Sequence, residues 1–197
     1  MPSYTRASIA HLAHVMESKS SDPTRHKCFV SYHSADADEA AAFLESFGTE
    51  FIPRTLGVTE DDPFINSDDE DYIKEQISTK YMADSTVTIL LVGRCTWARM
   101  FVDWEIGATL RNSPLNKRSG LLAYKLPSAA DSQTIPYRLS DNYTHNKPSE
   151  SYASYLVYPS SKSSVRSNIE TAFKARDSKA HLIDNSLALF RSNRTCL

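Results

Sequence analysis

The chain has 197 residues, 41% hydrophobic and 23% charged, which is ordinary globular composition and enough length for one sizeable core. Its 22 Lys and Arg against 24 Asp and Glu leave a formal charge of −2, so the attraction behind most nucleic-acid binding has no source in the composition. No apolar run reaches the roughly 20 residues of a membrane helix, so neither nucleic acid nor a membrane is expected as a partner.

Near the start, Ile9, Leu12, Ala13 and Met16 recur at helical spacing, and His11, His14 and Glu17 interrupt any continuous apolar core of a signal peptide. The polar stretch 18–25, with Pro23, reads as a linker, so residues 1–25 are expected to form an appended helix and its tether. Cys28–Tyr32 is a short β-prone run followed by a polar loop, His33–Asp36. Ala40, Phe43, Leu44 and Phe47 then make a helical stripe closed by Gly48. Pro53 and Gly57 allow residues 51–58 to form an edge strand at best. Ser67-Asp68-Asp69-Glu70 fits a capping box for a helix carrying Ile73, Ile77 and Tyr81 and ending near Asp84.

Residues 85–93 are the most apolar segment and rich in β-branched side chains, as a parallel strand buried on both faces requires. Trp97, Met100, Phe101, Trp104 and Ala108 follow as the stripe of an amphipathic helix, and residues 120–126 read as another buried strand stopped by Pro127. Strands alternating with helices predict an α/β fold with a doubly wound parallel sheet. Beyond it, residues 128–150 are polar and turn-rich, with 135–142 the only part suited to docking, and 155–158 could form a last short strand. Val165, Ile169, Ala172 and Phe173 mark one further helix, and Ile183, Leu187 and Phe190 a second. The expected organisation is an N-terminal helix and linker over 1–25, the α/β domain over 26–158 and a C-terminal helical extension over 159–197.

Ligands of open α/β sheets bind beyond the carboxyl ends of the strands, which puts the loops 33–36, 59–69 and 94–97 on one rim. With five glycines and no Gly-x-Gly-x-x-Gly or P-loop pattern, an ordinary dinucleotide-binding dehydrogenase is disfavoured. The six histidines are spread out, and His11 and His14 lack further ligands nearby, so no metal is expected. His33, at a strand end, is either a ligand contact or a solvated loop residue. Three scattered cysteines, Cys28, Cys95 and Cys196, argue against a disulfide framework and for a reducing compartment; Cys95 reads as a packing residue, and a cytoplasmic location follows by exclusion.

Two acidic residues on the helix after the central strand differ in their surroundings. Asp103 has Arg99 one turn before it, a pairing that needs no functional explanation. Glu105 has no cation at helical spacing and borders the apolar stripe, where partial desolvation raises a carboxyl pKa and favours hydrogen bonding to a ligand. A plain helix-forming role reaching water past Trp104 is the alternative, and Trp97 and Trp104 are more often core than ligand-stacking residues.

Taken in order, residues 28–36, 84–93 and 99–106 (the last reading Arg-Met-Phe-Val-Asp-Trp-Glu-Ile), with 120–122 and 135–142, resemble the TIR-like domains of prokaryotes and most of all the TIR-like component of the Thoeris antiphage defence system. The resemblance implies a flavodoxin-like fold and cleavage of the nicotinamide–ribose bond of NAD, a substrate here and not a cofactor, with Glu105 as the catalytic carboxylate. By the same likeness Phe29, Ser31, His33 and Asp36 line the ribose and nicotinamide end of the cleft, and Trp104 is a further candidate substrate contact. It also implies self-association into a homo-oligomer and an ADP-ribose-type, cyclic signal that activates a separate effector. The helices outside the core motif could serve assembly or autoinhibition. Two other functions fit the same residues: a non-catalytic TIR scaffold acting by self-association, and an N-glycosyl hydrolase of nucleosides or nucleotides.

Overall fold

The apolar run after Ser85 forms β3 (Val87–Val92), whose six residues are all buried. It is the middle strand of a five-stranded sheet with β1 (Lys27–Tyr32), β2 (Ile52–Arg54), β4 (Gly120–Lys125) and β5 (Ser154–Val157). The order is β2-β1-β3-β4-β5 and every pair is parallel, the flavodoxin-like arrangement expected from the sequence. This computed structural model describes residues 3–196 except 20, 21, 23, 56, 115 and 116. Met1, Pro2 and Pro23, on which the signal-peptide and linker readings drew, lie outside the described residues.

Alternation along the strands sorts the core into two sides. Cys28 and Val30 of β1, Val87, Ile89 and Leu91 of β3, and Leu122 and Tyr124 of β4 pack against helices α2 (Ala37–Phe47) and α6 (Lys162–Ser178). Their neighbours point the other way: Leu90, Val92, Leu121 and Ala123 meet helix α4 (Met100–Leu110), while Phe29 joins a cluster with α3 (Glu70–Tyr81) and Trp104. Ser31, in register with Leu90, therefore faces α4.

Several local expectations need correction. Helix α1 (Arg6–Ser18) is no appendage: Ile9, Ala13 and Met16 are buried, and the helix packs on α2 and β2. Three apolar residues on one face of a helix have to be covered by something, and here the cover is the sheet's own edge. Helix α3 starts at Glu70, because Asp69 and not Ser67 caps it, accepting from the Tyr72 N–H at 3.0 Å. It ends at Tyr81, three residues before Asp84. Helix α4 is not amphipathic, since every residue from Val102 to Leu110 is buried.

Helix α5 (Tyr137–Asp141) docks Leu139 against α4, as the composition of 135–142 suggested. The second C-terminal helix does not form. After a single 3-10 turn (Ala180–Leu182), residues 183–196 run irregularly back across α3 and α4. The Trp104 indole donates to the Phe190 carbonyl (2.7 Å), Met100 N–H donates to Asn193 Oδ1 (2.9 Å), and Arg194 N–H donates to the Ala98 carbonyl (2.8 Å). The first and last of these bonds use tail backbone groups that a helix would have kept for itself.

The end of that tail overturns the cysteine reading. Cys95 and Cys196 form a disulfide across 101 positions of sequence, and only Cys28, buried in the core, is free. The odd count concealed one pair and one packing residue, so it carries no argument about compartment. Among the described residues no helix is long and apolar enough to cross a membrane.

Candidate active site

At the carboxyl ends of β1, β2 and β3 the chain opens a cleft of about 390 Å³, within the size range of small-molecule sites. Tyr32, His33 and Ser34 line it from the end of β1, and Thr59 and Glu60 from the loop after β2. Arg99, Phe101, Val102 and Glu105 come from the start of α4, Arg6 from α1, and Asn193 from the C-terminal tail. The loops beginning at 33 and 59 thus share one rim; the third contribution comes from Arg99, just beyond the 94–97 segment.

Glu105 is 5% exposed, one and a half turns into α4. Its Oε2 accepts from the Ser31 hydroxyl at 2.6 Å and its Oε1 from the Val58 N–H at 3.1 Å. It makes no ion pair among the described residues. Burial pushes its pKa up to about 7, partly offset by the two hydrogen bonds and by the charge of Arg6. A backbone donor from the β2 loop can come so close because residue 57 is glycine, where a Cβ would lie 2.2 Å from Glu105 Oε1. The result is a fixed carboxylate that titrates near neutrality at the base of an open cleft, the arrangement general acid–base and electrostatic catalysis both require.

The other sequence-selected residues divide. Ser31 positions Glu105 directly, and His33 lines the cleft. Burial, then Arg99 and Arg6, lower the His33 pKa to about 4, so its imidazole is neutral at pH 7. Asp36 stands beside the cleft and not in its wall: its carboxylate accepts from the Thr96 hydroxyl at 3.3 Å and sits against Gly93, linking the loop after β1 to the loop after β3. Its pKa rises to about 6, chiefly through burial. Phe29 is fully buried behind the carboxylate, and Trp104 faces the tail from the α3 side of α4. Neither reaches the cleft. Arg6, Tyr32, Arg99 and Asn193 do, although sequence reasoning passed over them.

The contrast between the two acids survives with its terms exchanged. Asp103 is buried, and its partner is not Arg99 but the fully buried Arg138 of α5, with Nε to Oδ1 at 3.2 Å and Nη2 to Oδ2 at 3.3 Å. Phe190 N–H adds a bond to Oδ2 at 3.0 Å. Because nearly all of α4 is buried, a carboxylate on its far side has to find a cation inside the fold. Asp103 fastens α5 and the tail, and Arg99 is left free to turn into the cleft.

A family model described as "Thoeris protein ThsB, TIR-like domain" matches residues 29–131, from β1 through the loop after β4. Ser31, Val58 and Glu105 all lie inside the matched stretch, whereas Arg6 and Asn193 lie outside it. No curated protein matches the chain. With more than half its length matched and a sheet order of the flavodoxin-like kind, the chain belongs to the TIR-like domain family of the Thoeris protein ThsB.

Proposed function

We propose that this protein cleaves the nicotinamide–ribose bond of NAD at Glu105 and releases an ADP-ribose-type product, cyclic in form, as a signal. Family membership supports a role in Thoeris defence and a functional link to a separate effector. The observation that carries the chemical reading is the Glu105 carboxylate, held by Ser31 and Val58 under an open cleft and in no ion pair among the described residues.

The pyridinium ring of NAD is already a cationic leaving group, so the reaction needs no strong acid. The C1′–N bond breaks with its electron pair going to the ring nitrogen, which leaves as neutral nicotinamide while positive charge spreads over C1′ and the ring oxygen of the ribose. An ionised carboxylate beside that centre stabilises the charge as it develops. Water or an adenine nitrogen of the same molecule then bonds to C1′; with water, Glu105 accepts the proton released. Burial of Glu105 strengthens the interaction because little solvent screens it.

Incubation with NAD, alone and with lysate of infected cells, followed by mass spectrometry of the products tests the proposal. Nicotinamide and a cyclic ADP-ribose, one water lighter than ADP-ribose itself, are expected in equal amounts, with turnover per protein rising with concentration if copies assemble around the site. NAD unconsumed in every condition overturns the reading, and release of a free base from nucleosides in preference to NAD replaces it with an N-glycosyl hydrolase.

A further inference from the structure

Two guanidinium groups reach the cleft above Glu105, and the bond-breaking step uses neither. Arg6, in the first turn of α1, donates through Nη1 to the carbonyls of Val58 (2.7 Å) and Gly57 (3.5 Å). Arg99, at the start of α4, donates through Nε to the Cys95 carbonyl (3.2 Å) and through Nη2 to the Arg194 carbonyl (3.4 Å). All four acceptors are neutral backbone oxygens. Elsewhere Arg54, Arg111, Arg138, Arg166 and Arg191 each meet a carboxylate within 4 Å.

Within the described residues Arg6 and Arg99 form no ion pair, and Nε and Nη2 of Arg6 and Nη1 of Arg99 donate to nothing. The carboxylates sharing the cleft are Glu60, exposed on the rim, and Glu105 at the base, already occupied by Ser31 and Val58; Asp36 lies nearby behind the rim and is held by Thr96. His33, whose pKa both arginines depress, adds no charge of its own at pH 7. The Tyr32 hydroxyl, also at the cleft, is buried without a hydrogen-bond partner among the described residues. Unspent guanidinium donors facing a cavity are a phosphate-recognition device, since their planar N–H pairs match two phosphate oxygens at once.

We infer that Arg6 and Arg99 are the diphosphate-binding pair of this cleft, which makes its ligand class a diphosphate-bridged nucleotide and makes α1 a working part of the site. The inference deepens the NAD-cleaving reading by naming how the substrate is held away from its reacting bond. It also assigns a binding role to a helix that lies outside the family match. Seated on the loop through Val58, Arg6 ties ligand binding to the backbone that aligns Glu105.

Calorimetric titration of the full chain with ADP-ribose and with adenosine, comparing wild type with Arg6→Lys, Arg6→Gln and Arg99→Met, tests this. ADP-ribose binding is expected to weaken about 10-fold to 100-fold in Arg6→Gln and Arg99→Met, the range for hydrogen bonds to a charged group. Arg6→Lys, which keeps the charge but loses the planar donor pair, should fall between wild type and Arg6→Gln, adenosine binding should not respond, and KM for NAD should rise more than kcat falls. Loss of adenosine binding as large as the loss of ADP-ribose binding in Arg6→Gln and Arg99→Met would mark a structural role and overturn the inference, as would unchanged ADP-ribose affinity in both charge-removing variants or no binding of ADP-ribose by the wild type. Binding of ADP-ribose through the two arginines without NAD turnover would end the cleavage reading and leave this one standing. NAD turnover with KM indifferent to both arginines would do the reverse.

Discussion

Ser31 and Glu105 stand 74 positions apart in the sequence and 2.6 Å apart in the fold, the hydroxyl of a central strand donating to a carboxylate on the helix that crosses it. Strand alternation turns Ser31 toward α4, and the crossing of α4 over β1 brings Glu105 to it. The bond favours the ionised carboxylate in a setting whose burial favours the neutral acid.

The pH dependence of NAD cleavage follows from that balance. With Glu105 titrating at about 7, kcat/KM should rise as pH passes through neutrality and then level off. Ser31→Ala removes a donor to the ionised form, so its rise should move to higher pH, with activity at pH 7 reduced by about 10-fold. A pH–rate profile of the two proteins checks both statements, and an unshifted profile in the variant would contradict them.

Stability should carry the same signature. The folded-state pKa of Glu105 lies above its ordinary value of 4.5, so the folded protein holds that proton more tightly than the unfolded chain does. The resulting stabilisation is fully present below about pH 4.5 and is lost as pH rises through about 7. Glu105→Gln, which cannot ionise, is expected to be more stable than wild type by ~1–3 kcal/mol at pH 8, with the gap closing at acid pH. Urea unfolding at the two pH values measures this.

Gly57→Ala is the sharpest steric test of the site. The added Cβ would fall 2.2 Å from Glu105 Oε1 and 3.5 Å from Phe29 Cζ, so the carboxylate or the loop must move. We expect NAD cleavage to drop by about 100-fold with little change in melting temperature, read by nicotinamide release and calorimetry.

The disulfide gives a prediction independent of catalysis. Thiol titration of the unfolded, unreduced protein should find Cys28 alone, and three reactive thiols would contradict the Cys95–Cys196 pair. Cys196→Ser frees the tail that supplies Asn193 to the cleft and should cost about 2–4 kcal/mol in thermal or urea unfolding.

What the sequence disclosed follows the range of the forces involved. Strand alternation and helical stripes are local, and they placed β1, β3, β4 and α2 and singled out His33 and Glu105, which line one cleft; Ser31 entered only through the family resemblance. Long-range pairing left no local mark. The nearest cation to Asp103 in sequence is Arg99, but its partner is Arg138, 35 positions away, because a helix buried on all sides draws its counter-ions from across the fold. Phe29, a candidate by the family resemblance, and Trp104, a further candidate substrate contact, are both turned into the core by strand and helix geometry. Arg6 could have been suspected from α1 itself, whose buried face required a partner; Asn193 could not, since residues 183–196 follow no period.

Nicotinamide release from NAD by Glu105→Gln, measured beside wild type under the conditions in which wild type turns over, tests the central claim most directly. The substitution keeps the shape of the side chain and removes only its negative charge. Loss of turnover by at least about 100-fold with NAD binding retained is the predicted result. Turnover within a few-fold of wild type would show that Glu105 is not the catalytic carboxylate.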